Sequence, residues 1–216
     1  MAYVEVHSVS KTINNIRLIS DVSLSVEKGK TLGLVGHNGS GKTVLMKMIS
    51  GLFAPSEGHI FVNGKELGKD ADFPESMGII IENPGFIAAY SGYRNLKLLA
   101  GIKKKARRDD IRDAMKTVGL DPDCRKHVSK YSLGMRQRLA IAQAIMKKPE
   151  LLILDEPFNG LDSSGVAEMR EVLRKCKRKG QTIIMSSHCE DDINALCDEV
   201  YLMEGGRLSQ IFTGTI

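Results

Sequence analysis

Eight consecutive residues, Gly36-His37-Asn38-Gly39-Ser40-Gly41-Lys42-Thr43, set three glycines, a lysine and a hydroxyl at fixed spacing. That spacing, G-x-x-x-x-G-K-T, is what a backbone needs to wrap a phosphate group. The glycines admit left-handed or crowded backbone, so successive N–H groups can curl around phosphate oxygens. Lys42 can reach the outer phosphates of a nucleotide, and the Thr43 hydroxyl suits a Mg²⁺ position. The apolar run Leu32 to Val35 leads into the loop, and Val44-Leu45-Met46 opens a helical-looking segment that stops at Gly51. A helix starting there points its partial positive charge at the same anion. A glycine-rich turn with an accidental lysine would need no such flanks. The candidate nucleotide site therefore runs from Gly36 through Val44.

Two further apolar runs end in loaded residues: Leu151 to Leu154 before Asp155-Glu156, and Thr182 to Met185 before Ser186-Ser187-His188. Ligands of α/β sheets collect at such carboxyl ends. Side chains alternate along extended chain, so one carboxylate is expected to face a metal and the other a water. Asp155 fits as the Mg²⁺-organising group through a bound water. Glu156 fits as base, or orienting group, for an attacking water. His188 is expected to contact a γ-phosphate and hold Glu156. The competing reading, solvent-facing acids and a structural histidine, is weakened by the glycine loop in the same chain. Ser132 and Gly134 precede a predicted helix, Arg136 to Met146, and so form a second anion-binding terminus. One complete phosphate loop leaves no evident use for another, so this terminus is expected to cap a nucleotide held by a second copy.

The elements that must position these groups follow from periodicity. Val4 to Ser8 and Val22 to Val26 alternate as strands, and Asn63-Gly64 after His59 to Val62 signals a hairpin. These early strands predict an antiparallel layer beside the nucleotide core. Met77 to Ile81 reads as a buried strand. Arg94 to Ala100 and Asp109 to Val118 read as helices, without strand patterns between them and Leu151. The expected fold class is therefore α/β: one domain over residues 1–216, with a helical insertion at about 86–147 between two halves of the core. Ser163 to Lys179 is an amphipathic helix with Asp162 as its N-cap and a stripe of Val166, Met169, Val172, Leu173 and Cys176.

With 216 residues and 42% hydrophobic content, the chain can bury a large core. No signal peptide is apparent, and no run approaches the roughly 20 apolar residues that cross a bilayer. A soluble, cytoplasmic protein is expected. The four cysteines form no C-x-x-C pair, so they read as reduced thiols rather than a metal site. A net charge of +5 is mild. Its densest run, Lys103-Lys104-Lys105-Ala106-Arg107-Arg108, carries no interleaved aromatics and reads as a solvated face rather than a nucleic-acid surface. No Asn-Lys-x-Asp guanine motif occurs.

Taken in order, these motifs resemble those of the ATP-binding-cassette (ABC) ATPases over the whole chain. Gly36 to Thr43 is similar to the family's Walker A, and Leu151 to Glu156 to its Walker B with catalytic glutamate. Ser132-Leu133-Gly134-Met135 resembles the signature motif, more usually serine-glycine-glycine-glutamine. Asn159-Gly160-Leu161-Asp162 resembles the D-loop, and His188 the switch histidine. The resemblance implies a P-loop NTPase core with an antiparallel β subdomain and an inserted helical subdomain. It further implies ATP and Mg²⁺, a homo- or heterodimer of ATP-binding subunits, and separate transmembrane permease subunits docked around Glu82 to Tyr93. It places the protein peripherally on the inner face of the membrane.

Two positions depart from the family pattern. Ile13 stands where an aromatic residue commonly stacks on adenine, and Glu82 where a glutamine commonly approaches Mg²⁺. Ile80 to Phe86 resembles the subgroup that exports or repels bacitracin, lantibiotics and related peptides. The alternative function is a soluble ABC-type ATPase acting on ribosomes or nucleic acid. Its relatives usually carry two cassettes or large inserts, and this chain has neither.

Overall fold

The structure, a computed structural model, describes residues 2–82, 84–102 and 106–213. Strands β1 (Ala2–Ile13) and β2 (Ile16–Glu27) pair antiparallel and are followed by β3 (Thr31–Val35) and helix α1 (Lys42–Ile49). Next come β4 (Glu57–Val62), β5 (Lys65–Glu66) and β6 (Met77–Ile80). Helices α2 (Gly92–Gly101), α3 (Arg108–Thr117) and α4 (Leu133–Ile145) lie between β6 and β7 (Leu151–Leu154). The chain then runs through α5 (Ser163–Arg178), β8 (Thr182–Ser186), α6 (Glu190–Leu196), β9 (Glu199–Glu204) and β10 (Arg207–Thr213).

Two sheets result. One has the order β2-β1-β4-β5 and is antiparallel; the other has the order β10-β9-β3-β8-β7-β6. In the second, β9, β3, β8, β7 and β6 run parallel, with β10 antiparallel at the edge. This is the α/β core with an antiparallel layer that the sequence pattern predicts. The Asn63-Gly64 turn closes the β4–β5 hairpin, with Val62 opposite Lys65.

Apolar side chains on the central strands divide between two cores by alternation. Leu151 and Ile153 join Leu32, Leu34 and Ile184 against α1 and the antiparallel sheet. Leu152 and Leu154 turn the other way, with Ile183 and Met185, onto the helices. All four residues of β7 are fully buried, and each such side chain contributes roughly 1.5–3 kcal/mol by leaving water. Buried on both faces, β7 and β8 hold their carboxyl ends in fixed places.

Some elements differ from the sequence reading. β1 and β2 are each 12 residues long, against the five-residue alternations expected. Register shifts, with positive φ at Ser8 and Asp21, interrupt the two-residue period. The short α6 went unpredicted because its first turn is acidic and polar. α4 starts three residues earlier than expected because Ser132 caps it. All four cysteines are free thiols, and burial pushes Cys176 up to about 11 and Cys197 up to about 12. Of the basic run, Lys103 to Lys105 lie outside the described residues, while Arg107 and Arg108 are exposed.

Candidate functional site

The glycine loop joins β3 to α1, and its backbone is shaped by crowding. Gly36 has φ 141°, and a Cβ there would stand 2.2 Å from the Met203 carbonyl oxygen. Gly41, at φ 113°, would press a Cβ to 2.7 Å from Ile19 Cδ1. Only glycine fits either place. Lys42 and Thr43 therefore begin α1 directly against the turn. Lys42 Nζ donates to the carbonyls of Gly36 (2.7 Å) and His37 (3.1 Å), so the loop is wrapped around the ammonium. The Ser40 hydroxyl is buried without a hydrogen-bond partner.

The ends of β7 and β8 come to the same place. Thr43 Oγ1 donates to Asp155 Oδ2 at 2.6 Å, and Ser186 Oγ donates to Asp155 Oδ1 at 2.6 Å. Ser186 Oγ also accepts from the Glu156 N–H at 2.9 Å. One fully buried hydroxyl thus ties both acidic residues to β8. The alternation expected of extended chain does not continue through this pair. Glu156 takes a left-handed φ of 47°, a conformation that costs roughly 1–3 kcal/mol in a non-glycine residue, and both carboxylates line one cleft. Buried Gln137 of α4 secures the turn by donating to the Pro157 carbonyl at 2.7 Å.

His188 Nε2 lies 3.0 Å from Asn38 Oδ1 and 3.1 Å from Glu156 Oε1. Nε2 is within hydrogen-bond reach of Asn38, and Glu156 Oε1, buried, makes no hydrogen bond. Burial pushes the Glu156 carboxyl above the ordinary glutamate range; His188 opposes this, Asp155 adds to it and Lys42 opposes. The loop bearing His188 is anchored from behind. Ser187 Oγ donates to Asp192 Oδ2 at 2.7 Å, and Arg170 Nε of α5 donates to Asp192 Oδ1 at 2.7 Å.

These groups line an open cleft of about 520 Å³, with Asn38 to Val44 on one side and Asp155, Glu156 and His188 on another. A hydroxyl and a carboxylate oxygen that make no hydrogen bond, beside a lysine folded onto its own loop, suit a polyanion with an ordered water. Thr43 Oγ1 and Asp155 Oδ2 are adjacent hard oxygen donors, the kind Mg²⁺ takes one or two of while keeping phosphate and water ligands.

Other expected site residues lie elsewhere. The Glu82 carboxylate sits 2.5 Å from Lys47 Nζ and does not line the cleft. Ile13 ends β1 opposite Ile16, 37% exposed and also outside the cleft lining. Ser132 caps α4, its Oγ accepting from Met135 N at 3.1 Å. Leu133 is exposed and packs on Gly160, where a Cβ would meet its Cγ at 2.4 Å. Gly134 faces the Gly160 carbonyl, and Asp162 Oδ1 caps α5 by accepting from Gly165 N at 2.8 Å. None of Ser132, Leu133, Gly134, Met135 or Asp162 lines the cleft of its own chain.

Sequence reasoning passed over Arg17, Leu18, Gly205 and Gly206, which also line the cleft, and Ser186. The polar end of an otherwise apolar β8 was a signal for Ser186; Arg17 gave none, being one polar residue in an alternating strand.

Comparison with known proteins accords with this geometry. The family described as "ABC transporter" matches residues 19–159. The uncharacterized ABC transporter ATP-binding protein YybJ of Bacillus subtilis is 47% identical over 95% of this chain and 94% of its own length. The bacitracin transport ATP-binding protein BcrA of Enterococcus faecalis is 42% identical over 96% of this chain and 68% of its own. A solved ATP-binding subunit of an ABC transporter superposes with a TM-score of 0.86 at 27% identity, over 97% of this chain and 90% of that one.

Proposed function

The chain belongs to the ABC transporter family, of which it is an ATP-binding subunit, and from that premise we propose that it hydrolyses ATP to energise export of a peptide antibiotic or drug. The observation that carries the reading is the convergence of Lys42, Thr43, Asp155, Glu156 and His188 on one cleft. The loop N–H groups and Lys42 hold the phosphates. Thr43 and Asp155 would hold Mg²⁺, which when bound would screen the phosphate charge. Glu156 Oε1, buried and without a hydrogen-bond partner, accepts a hydrogen bond from the attacking water and orients it. His188 steadies that carboxylate and senses the γ-phosphate.

Half of the site comes from a second copy. Ser132 and Gly134, outside the cleft of their own chain, cap the γ-phosphate held by the partner, so ATP closes the dimer and hydrolysis reopens it. The described residues contain no helix long and apolar enough to cross a membrane. In this reading the permease is a separate chain, with the groove beside Glu82 as its docking place. The peptide-antibiotic substrate class rests on the likeness to a bacitracin transporter; that likeness does not favour a ribosome- or nucleic-acid-directed role. Glu156→Gln tests the chemistry: it is expected to keep ATP binding, slow hydrolysis by about 10²–10⁴-fold and trap an ATP-bound dimer on size-exclusion chromatography. Undiminished hydrolysis would remove Glu156 from this role.

A further inference from the structure

A nucleotide cleft needs a flat surface for its base, and this one has no Phe, Tyr or Trp in its lining. Its single ring, His188, is engaged with Asn38 and Glu156 at the hydrolytic end. Ile13 lies outside the lining. What the cleft has instead is Arg17 on β2.

Strand β2 is tied to the phosphate loop on its far side. Ser20 N donates to the Gly206 carbonyl at 2.8 Å, and Gly206 N to the Ser40 carbonyl at 3.1 Å. A Cβ at Gly41 would stand 3.2 Å from the Leu18 carbonyl oxygen. Arg17 is thus the next side chain outward from the loop along a strand fixed to it. Its guanidinium is held in place: Nη2 donates to Ser10 Oγ at 2.6 Å and lies 3.2 Å from Glu57 Oε2. Ser10 is buried, and its hydroxyl also accepts from Asp21 N. Guanidinium hydrogen bonds run in the plane of the group, so partners at its edge leave a face free for stacking. Glu57 also compensates part of the charge, which disfavours Arg17 as a phosphate ligand.

We propose that Arg17 is the platform on which the nucleobase rests, supplying the stacking surface that Ile13 does not. This rests on the nucleotide reading above. A guanidinium stacks on any base, so ATP and GTP are held alike at this end. Isothermal titration of the full chain with ATP, GTP and inorganic tripolyphosphate separates base from phosphate contacts. Arg17→Ala is expected to weaken ATP and GTP about tenfold, about 1.4 kcal/mol, while tripolyphosphate binding stays unchanged. Arg17→Lys keeps the charge and loses the plane, so it is expected to behave like Arg17→Ala. Unchanged ATP binding in Arg17→Ala, equal weakening of tripolyphosphate, or full recovery with lysine each overturns the proposal. A wild-type chain that binds tripolyphosphate but gains nothing from the base also overturns it, and leaves the phosphate loop's role standing. Failure of the wild type to bind any of the three ligands would sink the nucleotide reading itself.

Discussion

At one end of the cleft, Thr43, Asp155, Ser186 and Glu156 form an unbroken run of hydrogen bonds on strand ends that are buried on both faces. At the other, Arg17 is half exposed on a hairpin whose tip, Asn14-Asn15, is open to solvent. The first end stores strain, in the left-handed Glu156 and its buried Oε1, which makes no hydrogen bond and is met by the His188 ring at 3.1 Å; it can do so because the surrounding core over-determines it. The second is held by fewer and more exposed contacts, Arg17 through Ser10 and Glu57, and Ser20 through Gly206. The difference suits the proposed tasks. Aligning a water on phosphorus tolerates errors of tenths of an ångström, whereas stacking on a base tolerates sliding.

The sharpest way to break this contrast is at Ser186. Ser186→Ala removes the donor to Asp155 Oδ1 and the acceptor for Glu156 N–H, leaving buried polar groups at about 1–3 kcal/mol. Because Ser186 touches only the carboxylate end, kcat for ATP hydrolysis is expected to fall about tenfold, with the Kd for ATP within about twofold of wild type. Equal loss of affinity would mean that Ser186 supports the whole cleft, and unchanged turnover that β7 holds its acids without β8.

A smaller effect, and one of opposite sign, is expected for stability at the same end. In the folded chain Glu156 holds its proton more tightly than its ordinary value of 4.5 allows. The native state therefore binds more protons in the window between 4.5 and the raised value, and stability falls as pH rises through it. Above that window the ionised carboxylate works against folding. Glu156→Gln removes the charge, so the nucleotide-free variant is expected to melt higher than wild type at pH 7, by about 2–4 °C for each kcal/mol recovered. The gain is expected to vanish below 4.5, where the wild-type group is protonated in both states. Calorimetric melts across pH check both sign and window; a gain independent of pH would assign it to packing.

The same contrast explains what was legible in the sequence. The carboxylate end announces itself because its residues terminate apolar runs: Val35 before the glycine loop, Leu154 before Asp155, Met185 before Ser186. Periodicity finds buried strands, and the tendency of ligands to collect at their carboxyl ends does the rest. The backbone of Glu156 was not legible, since a left-handed residue after a strand breaks the alternation on which the expectation rested, although Asp155 still meets Thr43 and Glu156 meets His188. Arg17 and the Glu82–Lys47 pair were hidden for another reason. Each depends on a tertiary contact, with Ser10 in one case and α1 in the other, that no local pattern encodes.

The smallest effect tests the exposed end. Ile13 stands beside the cleft without lining it, opposite Ile16 on the hairpin. A larger flat side chain there has solvent to grow into, since Ile13 is 37% exposed. If the base end is incomplete, Ile13→Tyr is expected to tighten ATP by about threefold, well under the 1–3 kcal/mol of a fully formed base–aromatic stack, because Arg17 already covers one face. Tripolyphosphate binding, measured in parallel, is expected not to change. In an Arg17→Ala background the tyrosine is expected to recover more than it adds to wild type, since with both present the two side chains compete for the same face of the base. Strict additivity of the two changes would mean that Ile13 and Arg17 serve different ends of the ligand.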